Sequence, residues 1–147
     1  MQFVPLLGKQ LKDDDIIEVL ELLETDVIYD FDRLHENQPD VYWASSQANG
    51  IELKFDAVQQ LATIFLHISP EDDFAAFSLS DSDIPLFESP AEVESFGSAH
   101  HVQVTKGHSD SRGTNRIWVR LSFATHSAHY EFRGDNLALV TLSRSQS

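Results

Sequence analysis

Residues 51–56 read Ile51-Glu52-Leu53-Lys54-Phe55-Asp56, with apolar and polar side chains in strict alternation. The same alternation returns in the second half of the chain as Ala128-His129-Tyr130-Glu131-Phe132-Arg133. A period of two is typical of a β-strand that turns one face to a core and the other away from it. We therefore expect two antiparallel strands with matching faces, one in each half of the chain.

The similarity extends beyond these two strands. Leu61-Ala62-Thr63-Ile64-Phe65-Leu66 returns as Leu137-Ala138-Leu139-Val140-Thr141-Leu142, and Trp43 matches Trp118, with nearly the same offset in every pair. These nearly equal offsets predict an α+β protein made of two tandem α-β-β-β pseudo-repeats, which form one antiparallel sheet with the helices packed on one face. We expect a single domain over 1–147, with pseudo-repeat 1 at about 1–70, a connector at about 69–90 and pseudo-repeat 2 at about 84–147.

The helices are predicted from apolar spacing and end signals. Apolar residues at positions 16, 19, 20 and 23 follow an acidic opening, which predicts helix 1 over about 13–24. Ser89-Pro90 before an acidic turn predicts a short helix 2 over about 90–96 that stops at Gly97. The predicted strands are 27–31, 41–45, 51–56 and 61–68 in the first half, and an irregular one near 101–105, then 116–123, 127–133 and 136–143 in the second.

Charge and cysteine content limit the partners and the compartment. The 147 residues carry a net charge of −14, with 16 acidic and 4 basic side chains in residues 1–75. Such a field repels nucleic acid and membranes and attracts basic proteins, although acidity also serves solubility alone. There is no cysteine, no apolar run of about 20 residues and no signal-like opening, so we expect a cytoplasmic protein.

No catalytic motif is visible. The chain has neither a Gly-x-Ser-x-Gly elbow nor a Gly-rich phosphate loop, and its acidic runs lack the spacing of a calcium loop. His126 and His129 would lie on opposite faces of one strand, a poor arrangement for chelation. We therefore expect no catalytic residue, no metal and no cofactor, and we expect that the protein is not an enzyme.

The alternation of the strands predicts a polar face with aromatic anchors, opposite the core. Aromatic residues inside a polar rim supply most of the energy of protein interfaces. The alternative is that the two tryptophans are core residues or lie beneath the connector. The predicted partner-binding residues are Trp43, Glu52, Lys54, Phe65, Trp118, Arg120, His129 and Glu131.

The tandem unit resembles the architecture of beta-lactamase inhibitory protein and its relatives, which present one face of a continuous sheet to an enzyme. Leu7-Gly8-Lys9-Gln10, residues 50–56 and residues 137–142 look like small immunity proteins of bacterial polymorphic toxin systems. This resemblance implies a cytoplasmic inhibitor that occludes the active site of a cognate toxin, and the net charge favours a basic toxin such as a nuclease. Two alternatives are a metal- or small-ligand-binding enzyme that uses His126 and His129, and an assembly subunit that joins a complex through open sheet edges.

Overall fold

Alternation of apolar and polar residues produces a sheet with one buried face. The computed structural model describes residues 2–25, 27–30, 40–70, 74–77, 82–111 and 113–145. Within these residues, α1 (Asp14–Leu22) and α2 (Pro90–Ala99) each precede four strands. The strands are β1 (Val27–Asp30), β2 (Val41–Ser46), β3 (Ile51–Phe55), β4 (Leu61–His67), β5 (Gln103–Ser111), β6 (Thr114–Ser122), β7 (His126–Arg133) and β8 (Asn136–Arg144).

All eight strands belong to one antiparallel sheet in the order β1-β2-β3-β4-β8-β7-β6-β5. The last strand of each half therefore meets the other at the centre, where Leu66 lies opposite Val140. The predicted α+β class and the single antiparallel sheet are confirmed. Each helix is followed by four strands, which correspond to the four strand segments predicted in each half, whereas the predicted α-β-β-β unit counted three of them.

Two element boundaries also differ from the prediction. The strand expected near 101–105 is the nine-residue edge strand β5, whose polar sequence hides its alternation. Helix α2 continues through Gly97 to Ala99. A Cβ on Gly97 would lie 2.4 Å from Val104 Cγ2, so this glycine allows close packing of the helix on the sheet and does not end it.

One hydrophobic cluster joins both helices to the same face of the sheet. Ile16, Val19 and Leu23 from α1 and its C-terminal end, and Val93 from α2, all lie in it. The helices therefore cover one face, as predicted. The fully buried strand residues of the cluster are Ile51, Leu53, Phe55, Leu61, Ile64, Leu66, Val119, Leu121, Phe132, Val140 and Leu142.

An irregularity in β3 and β4 changes one predicted core position. The register shifts between Lys54 and Phe55, so that Phe55 lies opposite Leu61. Leu61 is fully buried, whereas Ala62, which unbroken alternation with Ile64 and Leu66 predicts to be in the core, is only partly buried. A bulge shifts the alternation by one residue, which period-two reasoning cannot foresee.

The described parts of the connector are packed against both halves. The carboxylate of Asp83 accepts hydrogen bonds from the backbone N–H groups of Phe3 and Val4 at 2.8 and 3.1 Å. The Tyr130 hydroxyl donates to the Pro85 carbonyl at 2.9 Å. Residues 82–89 therefore link the first residues of the chain to the second half of the sheet.

Candidate functional site

The sheet face opposite the hydrophobic cluster, here called the open face, contains all eight residues predicted to bind a partner. Cross-strand pairing aligns five side chains in one row, in the order Glu52, Phe65, Thr141, His129 and Arg120. Trp43 is paired with Lys54, and Trp118 with Glu131, in rows on the same face. Both tryptophans are partly exposed, and neither belongs to the core cluster.

In the first half, Trp43, Lys54 and Phe65 form a contact group, the first-half cluster. The rings of Trp43 and Phe65 stack with centroids 6.2 Å apart and planes at 25°. The Lys54 Nζ lies 5.4 Å from the centroid of the Trp43 ring. An ammonium over an indole face is a favourable cation–π arrangement, so this cluster offers an apolar platform with one positive charge.

In the second half, Trp118, Arg120 and His129 form the second-half cluster. The Trp118 and His129 rings stack at 5.3 Å and 23°, and the guanidinium carbon of Arg120 lies 5.9 Å from the Trp118 ring centroid. Gly107 on the neighbouring strand leaves space for the indole, because a Cβ there would lie 2.5 Å from a Trp118 ring carbon. Strand pairing and this glycine together position the ring.

The described strand side chains of the open face carry a net charge opposite in sign to that of the whole chain. Among the strand side chains that the structure describes on this face, the cations are Lys54, Arg116, Arg120 and Arg133 and the carboxylates are Glu52 and Glu131. The exposed first turns of α1, on the other side of the sheet, contain Asp14, Asp15 and Glu18. The acidic surface of α1 and the open face therefore present different chemistry to a partner.

Two histidines on β7 have separate environments, as their parity predicted. His129 lies on the open face. Its pKa is lowered, mainly because the ring is partly buried and secondly because the positive charge of Arg120 is nearby. His126 stacks on Phe123 at 4.7 Å, its Nδ1 lies 3.0 Å from Thr125 Oγ1, and burial lowers its pKa despite the opposing effect of Asp83. The part of the chain that the structure describes contains no group of three His, Cys, Asp or Glu side chains able to hold a metal.

Three features of the open face were not among the predicted site residues. Arg116 lies two residues before Trp118, and Arg133 lies two residues after Glu131. Alternation of side chains along a strand therefore predicts both arginines on the open face. His67 stacks on Phe74 at 4.3 Å and lies 3.9 Å from a Glu52 oxygen. The position of Phe74 had no local signal, because it follows from the path of the connector past the end of β4.

A cavity of about 500 Å³ lies on the helix side, between α2 and the β5–β6 pair. Ile117 and Val119 line its floor, and Glu94, Lys106 and His108 lie at its edge. It contains neither His126 nor His129. A second cavity, of about 210 Å³, is lined by His126 together with Asp83 and Tyr130. His129 lies on the opposite face of the sheet, so the two histidines do not share a cavity.

Comparison of the chain with protein-family models, curated proteins and solved structures gives no match. The structure assigns the chain to a class, an α+β protein with one antiparallel sheet whose open face is not covered by either of the described α-helices. Within the described residues, no helix combines the length and the apolar content that a membrane crossing needs.

Proposed function

We propose that this chain is a cytoplasmic immunity protein, a non-enzymatic inhibitor that binds a cognate bacterial toxin and occludes its active site. The observation that supports the proposal is the open face, a sheet surface that the described α-helices leave free and that has two aromatic clusters among charged side chains. Tryptophans supported by stacking lose little conformational freedom on binding, which makes them effective anchors at interfaces. The open face therefore suits a protein partner better than a small substrate.

Net charge adds a long-range component to the proposal. A charge of −14 attracts a basic protein at distances of about one Debye length, about 8 Å at physiological salt. Steering of this kind raises the association rate more than the lifetime of the complex. We therefore expect association with a basic toxin to slow as salt is added, and an association rate independent of salt would contradict the steering component.

We also propose that the two halves are tandem copies of one unit. Support comes from the nearly constant offset between matching segments and from the sheet order, in which β1-β2-β3-β4 meets β8-β7-β6-β5. Phe55 and Phe132, which occupy matching positions in the two halves, are both fully buried. A repeat of this kind explains why both halves place a tryptophan on the open face.

The experiment pairs this chain with the protein encoded immediately upstream in its native host. The neighbour is expressed with and without this chain, growth is measured, and complex formation is followed by isothermal titration calorimetry. We expect the neighbour to be toxic, this chain to restore growth, and the two proteins to bind at a ratio of one to one. A harmless neighbour that does not bind would overturn the proposal.

Substitutions then test the role of the open face. Trp43→Ala and Trp118→Ala should each weaken binding by about tenfold or more, because interface tryptophans often contribute about 2 kcal/mol or more. Leu22→Ala is the matched control, since Leu22 is 62% exposed on α1, in the helix layer. If the Leu22 variant loses affinity while both tryptophan variants retain it, the toxin binds the helix layer and not the open face.

A further inference from the structure

Three alternating residues of β6, here called the Arg-Trp-Arg stripe, lie on the open face in the order Arg116, Trp118 and Arg120. Their neighbours Ile117 and Val119 pair with the buried residues Phe132 and Tyr130, which fixes the side of the sheet that the stripe occupies. At about 3.3 Å per residue, the two arginines are roughly 13 Å apart along the strand. The indole ring lies between them.

Neither arginine has a carboxylate partner among the described residues, a state that they share with Lys12 and Lys54 but not with the other four described cations. Lys9 pairs with Asp15, Lys106 with Glu94, and Arg133 with Glu131. The chain contains 24 acidic residues and only 10 basic ones, so acceptors are abundant. Against that excess, two unpaired guanidinium groups on one strand face are unexpected for a purely structural surface.

Arg116 carries a second sign of an incomplete site. Its Nε atom is buried and has no hydrogen-bond partner within the described part of the chain. Most buried donors in folded proteins have an acceptor, and an unsatisfied donor costs free energy. A guanidinium in this state is suited to rearrange toward an acceptor that a bound partner supplies.

We propose that the Arg-Trp-Arg stripe binds an extended acidic segment of the protein partner. The fitting segment carries a carboxylate, an apolar or aromatic side chain and a second carboxylate at alternate positions. Each carboxylate accepts hydrogen bonds from one guanidinium, and the central side chain packs on Trp118. Arginine suits this role because its planar donors match a carboxylate in two parallel hydrogen bonds.

The structure favours a protein segment over a nucleic acid. Nucleic-acid binding needs a series of cations along a phosphate backbone, whereas the stripe has two, and Glu131 lies directly opposite Trp118. The net charge of −14 also repels a polyanion as a whole. A short acidic segment on an otherwise basic protein avoids that repulsion. The inference rests on the proposed function only in taking the partner to be a protein.

The test uses a phage-displayed library of random peptides, selected on the full-length wild-type protein. We expect enrichment of peptides with Asp or Glu on both sides of an apolar or aromatic residue. Arg116→Gln and Arg120→Gln should each weaken binding of the enriched peptides by about tenfold. Lys12→Gln is the matched control, because it removes one exposed positive charge just before α1, outside the open face, and it should change peptide binding less than twofold.

Several outcomes would contradict the proposal that the Arg-Trp-Arg stripe binds an acidic segment. These are failure to enrich any peptide, enrichment of neutral or basic peptides, and equal binding to the arginine variants. Binding of a single-stranded DNA oligonucleotide that is lost in both arginine variants would assign the stripe to nucleic acid instead. Circular dichroism of each variant establishes that the fold is retained.

The two proposals can fail separately. If the upstream protein is a toxin and the Arg116→Gln and Arg120→Gln variants neutralise it with unchanged affinity, the stripe is overturned and the immunity function stands. If that neighbour is harmless, the immunity function is overturned, and the peptide selection still decides what the stripe binds.

Discussion

The first-half and second-half clusters share a backbone arrangement and differ in chemistry. Each places a tryptophan on the second of four strands, stacked on a ring from a strand nearer the centre of the sheet. In the first half that ring is Phe65 and the cation is Lys54, whereas in the second half the ring is His129 and the cation is Arg120. Strand pairing therefore places a stacked tryptophan on the open face in both halves. The neighbouring side chains, which differ between the two clusters, determine which chemical group of a partner each cluster can bind.

The buried faces of the two halves are both apolar, whereas equivalent positions of their open faces differ in charge. Phe55 and Phe132 are equivalent and both fully buried, whereas the equivalent open-face positions 54 and 131 are lysine and glutamate. Core packing accepts few replacements, because every side chain fits many neighbours at high density. An uncovered face has no such restriction, so function can differ between halves there.

The largest expected change in the free energy of unfolding is in the core, and it tests whether the buried faces of the two halves are equivalent. Phe55→Ala and Phe132→Ala should each lower the free energy of unfolding by about 3–5 kcal/mol, because each leaves a cavity in a fully buried site. Because one cluster spans both halves, urea denaturation should give a single transition for each variant. Exposed Val58→Ala is the control, with a change within about 0.5 kcal/mol. Two separate transitions would mean that the halves unfold independently.

A smaller effect is expected where Gly107 supports Trp118. Gly107→Val should displace the indole and lower the free energy of unfolding by about 1–3 kcal/mol, because the added Cβ meets the Trp118 ring. In a Trp43→Phe background the fluorescence emission reports Trp118 alone, and the variant should shift it. Thr105→Val, on the same strand and face, is the control. An unchanged spectrum would show that the ring does not depend on the glycine.

The third effect concerns a hydrogen bond with no counterpart in the first half, where the equivalent of Tyr130 is Leu53. Tyr130→Phe should cost about 0.5–1.5 kcal/mol, because the Pro85 carbonyl loses its donor. Burial raises the pKa of the Tyr130 phenol, so the native state keeps its proton where the unfolded chain releases it. Wild-type stability should therefore decline as pH rises above about 10, the usual tyrosine value, and the decline should be weaker in the variant. Equal slopes in denaturation series at alkaline pH would contradict this account.

The smallest effect tests the difference between the clusters directly. Arg120→Gln should raise the pKa of His129, because the guanidinium contributes to its depression after burial. A lowered pKa in the native state means that the unfolded chain binds the proton first, so stability attributable to His129 is lost as pH falls below about 6.5. Proton NMR titration of the imidazole measures the shift. Lys54→Gln, in the other cluster, should leave the His129 titration unchanged.

Much of the open face was predictable because parity is a local property of a strand. Alternation around Leu53 and Tyr130 placed Glu52, Lys54, His129 and Glu131 on the side where they lie. The prediction failed at Ala62, where a bulge changes the parity, and at Gly97, whose role depends on Val104 and Leu121 from other elements. The first predicted strand ends at Phe31, which lies outside the described residues.

The sequence by itself determined the class of the protein, the pairing of similar segments and the face on which each strand residue lies, because periodicity and charge are encoded locally. Only the tertiary structure decided the order of the strands, the full length of β5 and the contacts that hold the two tryptophans. It also placed Arg116 and Arg120 on the sheet face opposite the carboxylates of α1. These features depend on contacts between residues far apart in the chain, which no local pattern records.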